Sequence, residues 1–298
     1  MSLTDWTRLI VLSLLWGGSY LFIEIALVSA SPMSIVLGRI VLAALALVAW
    51  CRATGVQVTL TGPLILSFLV MGLLNNVIPF NLIAFGQTRI TGGVASILNA
   101  TTPLFTVVVA HLWPGGERAT PARIAGVVIG FLGVAVLIGL GNLGELGSEI
   151  AGQAAILGAG LSYAFSALYG RRLTSVPPLA AAAGMLTASS LVLAPIVLLV
   201  ERPFSPLPGP GAMAAIGGLA ILSSALAYGI FFRLIASIGS NVMLVTFLMP
   251  VSAITAGVVL LGETVEPRHL GGLALIFAGL ALVDGRVLRL LRRHAPGT

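Results

Sequence analysis

Two ionisable side chains, Glu24 and Arg39, fall inside long apolar runs. A charge in hydrocarbon is costly, and such residues pair with each other, face a cavity or mark a functional path. Glu24 lies about five residues from the outer end of its run and Arg39 about seven from the outer end of the next, depths of roughly 7 and 10 Å at 1.5 Å per residue. Two chemistries are open. The pair can neutralise each other, or Arg39 can grip a ligand carboxylate with its planar fork while Glu24 carries protons.

A second polar feature is the stretch NATTPLFT at 99–106, inside an apolar run from Ile90 to Trp113. Pro103 lacks a backbone donor and clashes with the carbonyl four residues back, that of Asn99. Pro250 does the same to Thr246 in another apolar run. A freed carbonyl at membrane depth is tolerable when buried or facing water. Two kinked helices lining one cavity, with Asn99 and Thr246 facing it, are therefore expected. The competing reading is a packing kink satisfied by Thr102.

Other polar residues recur at helical spacing. Ser13, Gly17, Tyr20 and Glu24 share one face, and Asn76, Phe80 and Gln87 another, with Pro79 as a further kink. Ser162, Ser166 and Tyr169 form a third stripe with Tyr163 beside it, and Ser224, Tyr228 and Phe231 a fourth. Such stripes glue helices together or line a wet path. Trp16, Tyr20, Tyr163 and Tyr228 could wall an apolar or aromatic ligand. The expected substrate contacts are Trp16, Tyr20, Asn76, Phe80, Asn99, Thr102, Tyr163, Ser166, Tyr228 and Thr246. No Walker A, HExxH or GxGD motif occurs, and no deep Ser/His or Asp/Asp pair suggests catalysis. His111 and His269 sit near the ends of runs and read as packed or interfacial. The lone Cys51 excludes an intramolecular disulfide and a CxxC site. No catalytic residue, metal or cofactor is expected.

The elements that must carry these residues follow from composition. The chain has 298 residues, 58% hydrophobic and 8% charged, against about 25% charged in ordinary soluble domains. Its mean hydropathy is +1.11. Lipid is the solvent for most of this surface. Spans are predicted near 8–28, 32–50, 63–87, 91–112, 120–140, 152–171, 179–200, 211–233, 239–261 and 267–288, each close to the roughly 20 residues that cross a bilayer as a helix. The first run is long, contains Trp16 and Glu24 and lacks a convincing cleavage site, so it reads as a retained span rather than a signal peptide.

All 15 basic residues are arginine. With the N-terminus inside, eleven lie at cytoplasmic ends and three, Arg89, Arg202 and Arg268, at outer ends. Both termini are thus expected in the cytoplasm of a bacterial-type inner membrane. The tail RVLRLLRRHAPGT reads as a basic juxtamembrane anchor. No basic patch interleaves with aromatics, which argues against nucleic acid.

The chain also repeats itself. Gly92 precedes Pro103, and Gly239 precedes Pro250, by eleven residues. Glu117, Pro121, Gly126 and Gly133 match Glu263, Pro267, Gly272 and Gly279, and Ser19-Tyr20 matches Ser162-Tyr163. Two five-span units follow, 1–145 and 146–298. Five is odd, so the second unit must start on the opposite side: an all-α integral membrane protein of ten helices in two inverted repeats. Inverted repeats typify secondary transporters that bind substrate at the midplane between the halves.

The segments LLWGGSYLFIEIAL and LGRIVLAALAL, the Gly-x10-Pro helices and the GE…P…GG…G final helices resemble EamA-type members of the drug/metabolite transporter superfamily, most nearly amino-acid exporters of the YddG type. The resemblance spans nearly the whole chain in two copies. It implies ten helices, export of small metabolites, and a cavity lined by the first four helices of each half with the fifth at the periphery. The function expected is alternating-access export of small metabolites, amino acids with aromatic or apolar side chains among them. The partners expected are that small molecule and the lipid bilayer, and the working unit is expected to be a monomer. The alternatives are an intramembrane enzyme or a non-transporting scaffold, and, among transporters, an exporter of drugs or other metabolites.

Overall fold

The computed structural model describes residues 1–139, 147–201 and 207–285. Its ten long apolar helices are α1 Leu3–Leu27, α2 Pro32–Ala53, α3 Gly62–Gly86, α4 Gly92–Leu112, α5 Pro121–Ile138, α6 Gly147–Leu173, α7 Pro178–Val200, α8 Pro210–Ile238, α9 Asn241–Leu261 and α10 Pro267–Asp284. No strand occurs among the described residues. The ten spans expected from hydropathy are present, with shifted ends. α1 begins at Leu3 rather than near 8, because Ser2 and Asp5 form a reciprocal capping box that starts the helix in polar sequence. α8 runs on to Ile238, beyond the expected 233. The basic tail from 286 onward and part of the 140–152 and 201–211 connections lie outside the described residues.

Local chemistry fixes the helix starts. Ser31, Thr61, Thr91 and Thr120 each cap a helix by accepting from a backbone N–H three residues on. Pro32, Pro63, Pro121, Pro178, Pro210 and Pro267 occupy first turns, where a missing donor costs nothing. The outer surface is apolar: Leu191 is 71% exposed and Val259 71%. Apolar residues exposed in such number suit a lipid surround rather than water.

Helices of one half pack mainly on helices of the other. α5 lies along α10 and α2 along α7. α1 packs on α9 and, equivalently, α4 on α6; α1 meets α8 as α3 meets α6; and α3 meets α7 as α2 meets α8. Exchanging α1–α5 for α6–α10 maps this set of pairings onto itself. In two equivalent pairs, α5 with α10 and α2 with α7, the partners run antiparallel. A Cβ built on Gly126 would lie 2.6 Å from the Gly279 carbonyl oxygen, and one on Gly133 would lie 2.7 Å from that of Gly272. The early glycine of α5 thus faces the late glycine of α10, and the reverse. Likewise Ser31 and Ser34, at the start of α2, both donate hydroxyls to Glu201 at the end of α7.

α3 and α8 interrupt their ladders in matched places, whereas α4 breaks and the matching stretch of α9, Val245–Ala256, runs on unbroken. α3 carries a π-turn at Leu73–Val77 and α8 one at Ile221–Leu226. α4 breaks at Ala100–Thr101, between segments Gly92–Asn99 and Thr102–Leu112. π-turns of this kind are concentrated at functional sites.

Candidate functional site

A cavity of about 310 Å³ lies between the halves. Its wall takes Trp16 and Tyr20 from α1, Arg39 from α2, Phe80 from α3, Asn99 and Thr102 from α4, Tyr163 from α6, Tyr228 from α8 and Thr246 from α9. Eight of the ten expected contact residues therefore share one wall with Arg39. α5 and α10 contribute nothing to it and pack on each other at the periphery.

Arg39 is buried, 8% exposed. Its Nε donates to Ser224 Oγ at 3.0 Å, and its guanidinium carbon lies 3.8 Å from the Phe80 ring centroid. Stacking on an aromatic face attracts the cation but does not neutralise it. Of the two chemistries open to it, the pairing with Glu24 does not form. The ion pairs among the described residues are Arg123–Glu117 and Arg268–Glu266, both at helix ends. Glu24 turns instead to the amino end of α4, where its Oε2 accepts from Gly92 N at 3.2 Å. Glu263 joins it there, accepting from Gly92 N at 3.1 Å and Gly93 N at 3.2 Å. Unpaired amides and the dipole at a helix start attract carboxylates, and that is why Glu24 leaves Arg39 alone.

Asn76 and Ser166 do not line the cavity. Asn76 is fully buried and donates to Ser189 Oγ of α7 at 3.1 Å. The reason is the π-turn: its wider winding puts residues five apart, not four, on one face. Asn75 thereby joins Phe80 on the wall, and Ser223 joins Tyr228. Asn75 was missed in the sequence, although the repeated amide at 75–76 marked the spot. Ser166 acts through it, donating to Asn75 Oδ1 at 2.8 Å while Asn75 Nδ2 donates to the Tyr228 hydroxyl at 3.0 Å. This chain ties α6, α3 and α8 together. Replacing Asn76 by Ala should therefore cost about 1 kcal/mol of stability and leave the apparent KM for substrate within about twofold, since ~0.4 kcal/mol is all that such a change represents. Thermal unfolding in detergent and transport kinetics check both parts.

The stripe on α1 also divides. Tyr20 faces the cavity, whereas Gly17 lies against α9, with a Cβ position only 2.8 Å from the Met249 carbonyl oxygen. Ser252 Oγ donates to Ser13 Oγ across the same contact at 3.2 Å. Gln87 donates to the Tyr20 carbonyl at 2.9 Å. Pro79, Pro103 and Pro250 are not on the wall; Pro103 starts the segment after the break in α4, whereas the break expected at Pro250 is absent, since Val245–Ala256 is one continuous helix. At Pro103, Thr102 Oγ1 donates to the freed Asn99 carbonyl at 2.8 Å, so that carbonyl is satisfied within the helix. The Asn99 side chain still reaches the wall, and its Oδ1 has no hydrogen-bond partner. Ser223 Oγ is likewise unpartnered. Further wall residues that the periodicity did not single out are Ser19, Ile23, Ile83, Met243, Val245 and Met249, with Phe231 completing the α8 side.

The EamA-like transporter family matches residues 7–139 and again 150–284. The chain belongs to that family. Each copy takes in five of the ten helices of this EamA protein. It is 27% identical over 277 residues to the "Uncharacterized inner membrane transporter YedA" of Escherichia coli (strain K12), covering 92% of this chain and 89% of the relative. The "Uncharacterized transporter YvbV" of Bacillus subtilis (strain 168) is 27% identical over 285 residues, with 92% and 89% covered. A "Probable terminal-alkyne amino-acid exporter" of Streptantibioticus cattleyicolor is 29% identical over 221 residues, 72% of each chain. A crystal structure matches the fold with a TM-score of 0.68 at 21% identity, covering 94% of this chain and 98% of the other. The EamA protein is thus a multi-pass membrane protein of transporter type.

Proposed function

We propose that this EamA protein exports small metabolites that carry a carboxylate and an apolar or aromatic body, amino acids included, by alternating access. The observation that carries the reading is the wall of the central cavity. One buried guanidinium without a counter-ion sits among tyrosine, tryptophan and phenylalanine rings, at the junction of two structurally equivalent halves. The named amino-acid exporter among the relatives supports the substrate class. The wall holds no carboxylate or histidine among the described residues, which favours carriage over catalysis.

The antiparallel pairing of equivalent helices supports inverted halves, and the packing supports one facing. On the side away from the N-terminus the halves are tied by Glu24 and Glu263 at Gly92, by Ser31 with Glu201, and by Gly209 N–H donating to Ser29 Oγ. On that side too, Pro210–Ala220 of α8 packs on α1, and Ile78–Gly86 of α3 packs on α6. The segment Gly62–Gly72, nearer the N-terminal side, packs on α7 instead. Phe231, Met243 and Val245 extend the cavity toward the N-terminal side. With the termini cytoplasmic, as the arginine bias indicates, these ties support reading the structure as an inward-facing form, in which Leu9 and Leu12 of α1 still pack on Ala227 and Leu234 of α8 on the N-terminal side. Exchange of conformation between the halves gives the outward-open form.

Purified protein in liposomes tests the reading. Counterflow of labelled phenylalanine, leucine and related carboxylates should be time-dependent and saturable. Arg39→Gln, if monodisperse, should lower it at least tenfold. Absence of flux for every small metabolite offered overturns the proposal.

A further inference from the structure

We infer that the cavity selects monoanionic carboxylates, such as 2-hydroxy or N-acylated acids, over zwitterionic amino acids of the same shape. This rests on the proposed reading of the cavity as a carboxylate transport site and narrows it.

The first argument is charge inventory. The described wall has one cation, Arg39, and no anion. The carboxylates of Glu24 and Glu263 are off the wall and held by the Gly92 and Gly93 amides. A ligand carboxylate on Arg39 completes an ion pair that the protein leaves unmade, and a buried charge strongly favours such a partner. An α-amino acid brings a second charge with it. Its ammonium sits within a few ångströms of its own carboxylate, hence close to the guanidinium, where low dielectric magnifies the like-charge repulsion.

The second argument is size. The cavity volume, about 310 Å³, sits at the small end of the roughly 300–1,000 Å³ usual for ligand pockets, which suits one ring or branched chain attached to the carboxylate.

The discriminating comparison changes one group. L-3-phenyllactate and L-phenylalanine differ only in hydroxyl against ammonium, and phenylalanine amide lacks the carboxylate. Titration calorimetry of the full chain in detergent measures the three affinities, and liposome counterflow the three fluxes. Phenyllactate should bind at least tenfold more tightly than phenylalanine, with no heat from the amide. Arg39→Gln should erase the preference. Arg39→Lys keeps the charge but not the fork, so it should bind more weakly while preserving the order of anion over zwitterion. That ratio would not move if Arg39 served packing alone. Equal or tighter binding of phenylalanine overturns this inference and leaves carboxylate transport standing. If neither acid binds or moves, the transport reading of the cavity falls with it. A Lys variant that loses the ratio also overturns the inference.

Discussion

Joining position 29 to position 209 by a disulfide will stop transport, and reductant will restore it. Ser29 follows α1 and Gly209 precedes α8, so the link ties the first half to the second on the side away from the N-terminus. Gly209 N lies 3.0 Å from Ser29 Oγ, and a Cβ on Gly209 would stand 3.4 Å from that oxygen. Two Cβ atoms so placed fall within about 5 Å, next to the ~3.5–4.5 Å a disulfide needs. The φ of Gly209 is −59°, so cysteine fits without strain. The buried Cys51 is replaced by Ala first. If the halves exchange conformations, this α1–α8 contact must open in the outward form, and a covalent tie holds the protein in the present one. Oxidised Ser29→Cys/Gly209→Cys protein should fall to the flux of empty liposomes, while each single variant keeps at least half of the parental rate. Full transport by quantitatively cross-linked protein would sink alternating access by separation of this face.

What the sequence displays is whatever repeats at long range or depends on one residue type. Hydropathy located all ten helices because lipid sets their length. The glycines of α5 and α10 and the prolines of α4 and α9 advertised the duplication, because close backbone contact and a missing N–H have few substitutes. The aromatic wall was legible for the same reason: Trp16, Tyr20, Tyr163 and Tyr228 are too few and too polar-tipped to be lipid filler. The errors fall where local winding or a distant partner decides. Periodicity of 3.6 put Asn76 with Phe80, but the π-turn at Leu73–Val77 hands that place to Asn75. Nothing local in an Asn-Asn pair says which one faces the cavity. Depth alone leaves a Glu24–Arg39 pair open beside a ligand-binding Arg39. Depth cannot reveal that the start of α4, some 68 residues along the chain from Glu24, offers the Gly92 backbone amide to the carboxylate.

Leucine at Gly126 or Gly133 should damage the protein more than any substitution on the cavity wall, although both lie far from substrate. In lipid, helices gain little from hiding apolar surface, so close packing holds them together, and small residues permit it. At Gly126 the obstruction is the Gly279 carbonyl oxygen, 2.6 Å from the added Cβ, and at Gly133 it is that of Gly272 at 2.7 Å. A flexible side chain could swing aside from such a contact; a helix backbone cannot, so α5 and α10 must separate along their length. Overpacking commonly costs about 1–3 kcal/mol, and the upper end applies where backbone meets backbone. The expected result is a fall in melting temperature of about 5–10 °C for either variant, and for the double variant a failure to purify as a monodisperse species. Gly18→Leu is the control, because nothing lies within 4 Å of its Cβ position, and it should melt within about 2 °C of the parent. Since α5 and α10 supply no wall residue, any single variant that survives purification should keep its substrate KM. Wild-type stability in Gly133→Leu would mean that the peripheral pair does not pack through these glycines, and the antiparallel match of equivalent helices would lose its best support.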